Sequence, residues 1–224
     1  MIGAQNTPKL RNCQVSTRKS VVLLSGGLDS ATLAFWLAKQ GHIIECLYFD
    51  YEQGHTNAER ECAISIAKRL DANLNIVETP RPRDSLKNYL PLLNDETALL
   101  TDAVSLCTMA VTFASASRLE AIYLGINADD RLVHPLLQAR FFRGIEKIAK
   151  LSVGNGLRLL TPFLNKDKVS IMRIGLKLGV PFGSTWSCSV NVETHCGLCS
   201  DCVARKRTFS EVGLADPTRY ENKS

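Results

Sequence analysis

The sequence predicts an α/β fold in which a parallel sheet carries helices on both faces, followed by a metal-binding segment near the C-terminus. Two observations predict this fold. Short apolar runs alternate with longer stretches of helical periodicity over most of the 224 residues, and strand–helix repeats of this kind form parallel sheets with right-handed crossovers. After residue 181 the alternation ends, and four of the eight cysteines crowd into residues 188–202.

Each element follows from its local pattern. Strands are predicted where apolar and β-branched residues run together, and helices where apolar residues recur every three or four positions. The predicted strands cover 21–24, 43–49, 74–77, 121–126 and 157–160. The predicted helices cover 30–39, 58–70, 97–119, 141–151 and 166–178.

Composition and charge narrow the classes of function. A chain with 45% hydrophobic and 22% charged residues is neither disordered, collagen-like nor a coiled coil. The net charge is +5, and residues 1–20 supply four of those charges without any acid. A DNA-binding surface would instead place a basic face on the folded body. No apolar run approaches the ~18 residues of a membrane helix.

The cysteines are clustered, and clustered cysteines suit a reducing compartment. We therefore expect a cytoplasmic protein without a membrane or DNA partner.

The first functional motif is Ser-Gly-Gly-Leu-Asp-Ser at residues 25–30, between the first predicted strand and helix. Gly26 and Gly27 let the backbone turn tightly and let an anion approach. The loop N–H groups and the helix dipole then form an anion site, to which the hydroxyls of Ser25 and Ser30 add donors. Asp29 either caps the helix or binds Mg²⁺. A capped turn without a ligand explains the same residues equally well.

Two other nucleotide motifs are excluded. The sequence contains no GxxxxGK[ST], so this loop is not a Walker loop, and no GxGxxG follows a predicted strand, so a dinucleotide site lacks support.

The second motif is the cysteine cluster, formed by Cys188, Cys196, Cys199 and Cys202. The spacing lets the last three thiols converge around a turn at Gly197, with Cys188 closing a tetrahedron. Four thiolates make a closed structural zinc site with no open position for catalysis. An iron–sulfur cluster and reduced thiols without a metal are the alternatives. His195 either donates a hydrogen bond to a ligand or lies exposed.

Together these residues resemble the 7-cyano-7-deazaguanine synthase family, the QueC-like proteins of the PP-loop ATP pyrophosphatase superfamily. The resemblance runs from about residue 21 to residue 209, and its most specific part is Thr-Trp-Ser-Cys at 185–188 joined to the cysteine turn. The other matching segments are SGGLDS at 25–30, DYEQGH at 50–55, GIN at 125–127, Pro162 to Lys168, and LGVP at 178–181.

The resemblance implies a fold and a division of the chain. It implies a HUP-like, Rossmann-type, three-layer PP-loop domain that binds ATP at 21–180 and a zinc-binding C-terminal segment at 181–224. The basic residues 1–20 would be a flexible extension. It also implies a homodimer.

The implied chemistry is ATP-dependent activation of a carboxylate, 7-carboxy-7-deazaguanine. ATP would be cleaved between its α and β phosphates to form an acyl-adenylate, and ammonia would displace AMP to give an amide. A second activation would dehydrate the amide to 7-cyano-7-deazaguanine. The implied cofactors are ATP, Mg²⁺ and a structural Zn²⁺.

The resemblance also assigns residues. Catalysis falls to Asp29, Ser30 and Lys168. Nucleotide binding falls to the loop, its flanks and the segment after the second strand: Leu24, Ser25, Gly26, Gly27, Leu28, Asp29, Ser30, Ala31, Thr32, Leu33, Tyr51, Gln53 and His55. For His55 and Lys168, a solvated surface position is the alternative.

The chain departs from the family pattern in three places. Residues 101–109 lack the family's Pro-Gly-Arg-Asn segment, residues 131–142 replace its acidic segment, and Gly54 stands where the family has arginine. The first two segments are expected to recognise the substrate, and a polar site that loses partners changes its ligand. Three alternatives therefore stay open. One is a diverged paralogue, in a bacterial defence system, that joins a deazaguanine acyl group to a protein or another amine. The others are a tRNA-modifying PP-loop enzyme and an ATP-binding protein without catalytic activity.

Overall fold

The computed structural model describes residues 19–51, 56–82, 95–134, 136–153, 156–190 and 192–221. Its centre is a five-stranded parallel sheet in the order β3-β2-β1-β4-β5. The strands are β1 (Lys19–Leu23), β2 (Ile43–Asp50), β3 (Asn73–Glu78), β4 (Ala121–Tyr123) and β5 (Arg158–Leu160). All five predicted strands are therefore confirmed, although β4 ends three residues earlier than predicted.

The helices follow the predicted alternation, and the described residues include two longer helical segments that the sequence did not predict. They are α1 (Leu28–Lys39), α2 (Thr56–Arg69), α3 (Asp95–Ala116), α4 (Ala128–Val133), α5 (Ala139–Val153), α6 (Lys168–Leu178) and α7 (Ser200–Val212). A 3₁₀ turn, Phe182–Ser184, follows α6. Helices α4 and α7 were not predicted, because α4 is too short to show periodicity and the buried face of α7 includes polar side chains. None of the helices described is both long and apolar enough to span a bilayer.

The sheet is buried on both faces, as expected for parallel strands covered by helices. Val21 and Val22 are both fully buried, and they pack into different cores. Val22 lies in the core built with α1, α2 and α6. Val21 lies in the core built with α3 and α5. This arrangement confirms the predicted three-layer α/β fold.

The strand order determines where a ligand can bind. Within the sheet, β2 and then β3 follow β1 toward one edge, whereas β4 and then β5 lie toward the opposite edge. The direction in which successive strands are added therefore reverses between β1 and β4. Ligands of open α/β sheets bind at such a switch point.

The C-terminal segment packs onto the same domain. Phe182, in the 3₁₀ turn, and Phe209, in α7, are buried in the core on the α1 side of the sheet. Their rings meet edge to face with centroids 6.0 Å apart. Strand β1 begins at Lys19, and residues 1–18, most of the predicted extension, lie outside the described residues. The division of the chain at residues 20 and 180 stays a prediction.

Candidate active site and metal centre

The loop after β1 has a conformation that requires glycine. Gly26 has φ +80°, and a Cβ placed there would lie 2.4 Å from the carbonyl oxygen of Glu59 on α2. A larger residue would therefore clash with backbone as well as being strained. Gly27 then begins α1 as its N-cap in extended conformation. The predicted glycine pair thus lies where loop N–H groups and the positive end of the α1 dipole coincide.

Two hydroxyl groups accompany the loop amides. Ser25 Oγ and Ser30 Oγ are 3.1 Å apart, and Ser30 Oγ also donates to the carbonyl oxygen of Gly27 at 3.2 Å. The Gly27 N–H is directed toward Ser25 Oγ at 3.4 Å. Backbone and hydroxyl donors therefore converge at the start of α1, in the pattern that phosphate oxygens accept.

These donors open onto a cleft of about 290 Å³. Ser25, Gly27 and Asp29 line one wall, and Lys168 lies beside them. The lining also includes residues 186–189 together with Asp201, Arg205 and Thr208 of α7. The glycine loop and the segment that leads into the cysteine cluster therefore both contribute to this cleft.

Asp29 is held between an amide and a cation. Its Oδ2 accepts a hydrogen bond of 3.0 Å from Asn127 Nδ2 and lies 3.9 Å from Lys168 Nζ. Its Oδ1 is buried and has no hydrogen-bond partner among the described residues. A buried carboxylate oxygen without a partner is costly, and a hard divalent cation is a ligand that it suits. The residues here therefore fit the predicted Mg²⁺.

Burial determines the electrostatics of Asp29. Desolvation raises its pKa to about 7, against the opposing effects of Lys168 and of the Asn127 hydrogen bond. Asp130 and Asp129 raise the pKa further by repulsion. Near neutral pH the carboxylate is therefore close to its protonation midpoint, and any added positive charge in the cleft would favour its ionised form.

Asn127 also lies at this site, although no role was predicted for it. Its side chain is fully buried, and it caps α4 through a reciprocal pair of hydrogen bonds with Asp130, of 2.9 and 3.0 Å. Asp129 Oδ2 accepts from the backbone N–H of Lys168 at 3.0 Å. An asparagine three residues before an aspartate signals such a capping box, and this signal follows β4 directly at the switch point.

The loops after β1 and β4 also touch directly. A Cβ on Gly125 would lie 3.0 Å from the backbone nitrogen of Ser30. Only a residue without a side chain lets the chain pass so close to the start of α1. This approach holds Asn127 within reach of Asp29.

The remaining predicted nucleotide residues occupy three kinds of position. Leu28 lines the cleft. The side chains of four residues are buried behind the loop, namely Leu24, Ala31, Thr32 and Leu33. Tyr51 lies after β2 with the guanidinium of Arg81 5.4 Å from its ring and is absent from the cleft lining described above. Gln53 and His55 lie outside the described residues. The nucleotide contacts assigned to all of them stay predictions.

The four cysteines of the cluster converge as predicted. The sulfurs of Cys188, Cys196, Cys199 and Cys202 all lie within 4.8 Å of one another. Two of the distances are 4.0 Å, between Cys196 and Cys202, and 3.9 Å, between Cys199 and Cys188. Zn–S bonds of ~2.3 Å in a tetrahedron give edges of ~3.8 Å. The donor set therefore fits a four-coordinate metal with no position left open.

Backbone amides donate to sulfurs of this cysteine cluster. Cys199 N donates to Cys196 Sγ at 3.3 Å, and Cys202 N donates to Cys199 Sγ at 3.4 Å. Gly197 makes the turn between the ligands with φ +78°. Amide donors stabilise sulfur in its thiolate form, which is the form that binds metal.

His195 is placed differently from either prediction made for it. It is buried, and its Nε2 accepts from the backbone N–H of Ser187 at 3.1 Å. Its ring stacks on Trp186 with centroids 4.0 Å apart. Burial, with help from Arg205, lowers the pKa of His195 to about 4, so the ring is neutral and can accept. It packs the segment before the cluster instead of donating to a ligand.

A parallel sheet with a glycine-rich anion loop at its switch point, and an aspartate and a lysine beside it, defines a nucleotide-binding protein of the PP-loop type. The model of the family described as "Queuosine biosynthesis protein QueC" matches residues 19–213. The chain therefore belongs to the QueC family. This membership confirms the predicted family and the predicted class of enzyme, an ATP-dependent ligase.

Individual relatives agree with the family match. A 7-cyano-7-deazaguanine synthase from Methanoculleus marisnigri is 38% identical over 91% of this chain and 99% of its own length. One from Methanosphaerula palustris is 32% identical over 91% of this chain and 99% of its own length. An NMN synthetase structure from Francisella tularensis shares the fold with a TM-score of 0.56, at 14% identity over 89% of this chain and 78% of that one.

Proposed function

We propose that this chain activates 7-carboxy-7-deazaguanine with ATP and converts it with ammonia to 7-cyano-7-deazaguanine. The observation that carries the proposal is the cleft at the start of α1. Ser25, Gly27, Asp29 and Lys168 line this cleft. Lys168 Nζ lies 3.9 Å from Asp29 Oδ2, and Asp29 Oδ1 is buried without a hydrogen-bond partner among the described residues. Family membership and relatives that bear this activity in their names support the substrate.

The loop would hold the pyrophosphate part of ATP. The N–H groups at Gly26 and Gly27 and the hydroxyls of Ser25 and Ser30 are the donors available for the β and γ phosphates. The start of α1 adds the positive end of its dipole. These groups are already placed by backbone hydrogen bonds, so little reorganisation accompanies charge build-up on the leaving pyrophosphate.

Lys168 and Asp29 would act around the α phosphorus. The substrate carboxylate attacks this phosphorus in line and expels pyrophosphate, which gives an acyl-adenylate. Lys168 Nζ is placed to neutralise charge on the phosphate oxygens. Asp29, oriented by Asn127, would hold a Mg²⁺ through Oδ1, which has no hydrogen-bond partner within the part of the chain that the structure describes. When bound, this ion would screen the phosphate charges and shape the triphosphate.

The later steps would take place in the same cleft and include a second activation by ATP. Ammonia attacks the acyl carbon and releases AMP to leave the amide. The amide oxygen then attacks a second ATP, and loss of that oxygen with AMP, together with two protons, leaves the nitrile. The four-cysteine centre has no open position, so its role would be structural, with Zn²⁺ as the metal that best suits four thiolates.

A direct assay tests the proposal. The protein is incubated with ATP, Mg²⁺, 7-carboxy-7-deazaguanine and ammonium, and pyrophosphate release and the product mass are followed together. We expect release that depends on the carboxylate, and a nitrile product. The matched control is Asp29→Asn, which keeps the shape of the side chain and should reduce turnover at least 100-fold on the scale of a lost charge-stabilising group (~2.7 kcal/mol).

The same assay separates the alternatives. Metal-loaded, folded protein that binds ATP but releases no pyrophosphate with this carboxylate would disprove the proposed substrate. Carboxylate-dependent release of AMP with an adduct on an amine other than ammonia would instead identify an acyl transferase.

A further inference from the structure

We propose that Arg205 is a positioning residue that aligns the phosphate loop through the backbone of Trp186. This inference rests on the proposed function only in that the cleft must bind ATP. It concerns the link between the four-cysteine centre and the glycine loop, which both contribute residues to the cleft lining.

Arg205 is buried, and its guanidinium makes several hydrogen bonds and an ion pair. Its side chain is 1% exposed. Its guanidinium donates to the Phe182 carbonyl oxygen at 2.7 Å, to Thr185 Oγ1 at 2.9 Å and to Ser187 Oγ at 3.1 Å. It also donates to Thr218 Oγ1 at 2.8 Å and faces Asp216 Oδ1 at 3.4 Å. One side chain on α7 therefore holds the segment from 182 to 187 against the C-terminal residues 216–218, which have no regular secondary structure.

Trp186 lies between two of these anchored residues. Its backbone N–H donates to the carbonyl oxygen of Gly26 at 2.9 Å. Its indole Nε1 donates to the carbonyl oxygen of Cys188 at 2.7 Å. The residue therefore joins the phosphate loop on one side to a metal-binding cysteine on the other.

The bond to Gly26 has a consequence for the phosphate site. In a planar trans peptide the C=O of one residue and the N–H of the next point in opposite directions. A fixed Gly26 carbonyl therefore fixes the direction of the Gly27 N–H, which is the loop donor that faces Ser25 Oγ and lines the cleft. Gly26, at φ +80°, has the freedom to let this peptide rotate if the bond is lost.

The metal centre anchors both ends of this connection. Cys188 follows Trp186 by two residues, and Cys202 precedes Arg205 by three on α7. The closed four-thiolate site thus sets the relative position of the segment and the helix. Through Arg205 and Trp186 that position reaches the peptide between Gly26 and Gly27.

The test compares two nucleotides in binding assays without turnover. The probes are α,β-methylene-ATP with Mg²⁺, which engages the pyrophosphate site, and AMP, which lacks those two phosphates. We expect Arg205→Met to weaken binding of α,β-methylene-ATP at least about tenfold, as for a lost hydrogen bond to a charged group. AMP binding should change less than about twofold, within ±0.5 kcal/mol. Arg207→Met is the matched control, because Arg207 lies exposed on the same helix and pairs only with Glu211 in the described contacts. It should bind both probes like the wild type.

A second variant removes the proposed bond alone. Replacing Trp186 with its α-hydroxy analogue, indole-3-lactic acid, puts an ester oxygen where the N–H donor stood and keeps the indole ring. We expect the same selective loss of α,β-methylene-ATP affinity with the metal retained. If Arg205→Met loses its metal, the ester variant decides the question.

The outcomes are distinguishable from those that test the proposed function. Wild-type protein that binds neither nucleotide would overturn the proposed function and this inference with it. Wild-type protein that binds α,β-methylene-ATP, together with an ester variant that binds it equally well, would overturn the inference alone. Equal weakening for both nucleotides would show a general structural role and would overturn it too.

Discussion

Asn127 and Asp29 are 98 positions apart in the chain and are joined by a hydrogen bond of 3.0 Å from Asn127 Nδ2 to Asp29 Oδ2. The bond joins the first turn of α1 to the loop that follows β4. Strands β1 and β4, which precede these two segments, are neighbours in the sheet. Asn127 is itself fixed as the N-cap of α4. One oxygen of Asp29 is thereby held, and the other is buried without a hydrogen-bond partner among the described residues.

This relationship predicts the behaviour of Asn127→Ser. Serine is a good N-cap, so α4 should persist, but the shorter side chain cannot reach Asp29. We expect pyrophosphate release to fall ~10–100-fold, as for a lost hydrogen bond to a charged group, with a higher Mg²⁺ requirement. Rates measured across a Mg²⁺ titration test this, with circular dichroism to verify the fold. A rate equal to that of the wild type would remove Asn127 from the site.

The Asn127–Asp29 pair also illustrates what the sequence can and cannot reveal. The strands and long helices were predictable because apolar periodicity is local. The contact between Asn127 and Asp29 depends on which strand lies beside β1, and local patterns do not specify strand order. Helix α7 was not predicted, because its buried face includes Cys202, Arg205 and Thr208. A search for apolar periodicity does not detect a face with such polar residues. The cysteine cluster was predictable because its ligand spacing is itself local.

The cysteine cluster leads to a prediction about metal content and stability. Cys199→Ser should release the metal, because a hydroxyl does not replace a thiolate ligand to zinc. We expect the metal-to-protein ratio from elemental analysis to fall to near zero. The melting temperature should fall by on the order of 10 °C, as for a loss of ~3 kcal/mol. Cys62→Ser is the control, since Cys62 lies against the cluster but is not among its four members. Full metal content in Cys199→Ser would refute the four-thiolate assignment.

The raised pKa of Asp29 predicts a pH-dependent cost to the fold. Burial raises this pKa from 3.8 to about 7, so the folded chain holds the proton more tightly than the unfolded chain. The contribution of Asp29 to the free energy of unfolding therefore decreases as pH rises from about 4 to about 7. Lys168 and the Asn127 hydrogen bond reduce this cost, and Asp129 and Asp130 add to it.

Asp29→Asn removes this titration and should stabilise the protein at pH 8. Without ATP or Mg²⁺, we expect the variant to exceed the wild type by about 1–3 kcal/mol at pH 8 and to match it near pH 4. Urea denaturation at pH 4, 6 and 8 measures the difference. Asp71→Asn, at an exposed position, is the control for the loss of one carboxylate. A constant difference between Asp29→Asn and the wild type at every pH would contradict the prediction.

Gly26 and Gly41 offer a matched pair for the phosphate loop. Their φ angles are +80° and +81°, but a Cβ on Gly26 meets the Glu59 carbonyl oxygen at 2.4 Å, whereas a Cβ on Gly41 meets nothing within 4 Å. Gly41→Ala should cost only the ~1–2 kcal/mol of left-handed backbone and leave nucleotide binding unchanged. Gly26→Ala should cost more and abolish binding of α,β-methylene-ATP, because the loop must move away from α2. Urea denaturation and nucleotide titration of both variants measure these effects. Equal losses of stability with binding retained in both would mean that the close approach of Gly26 to α2 does not shape the phosphate site.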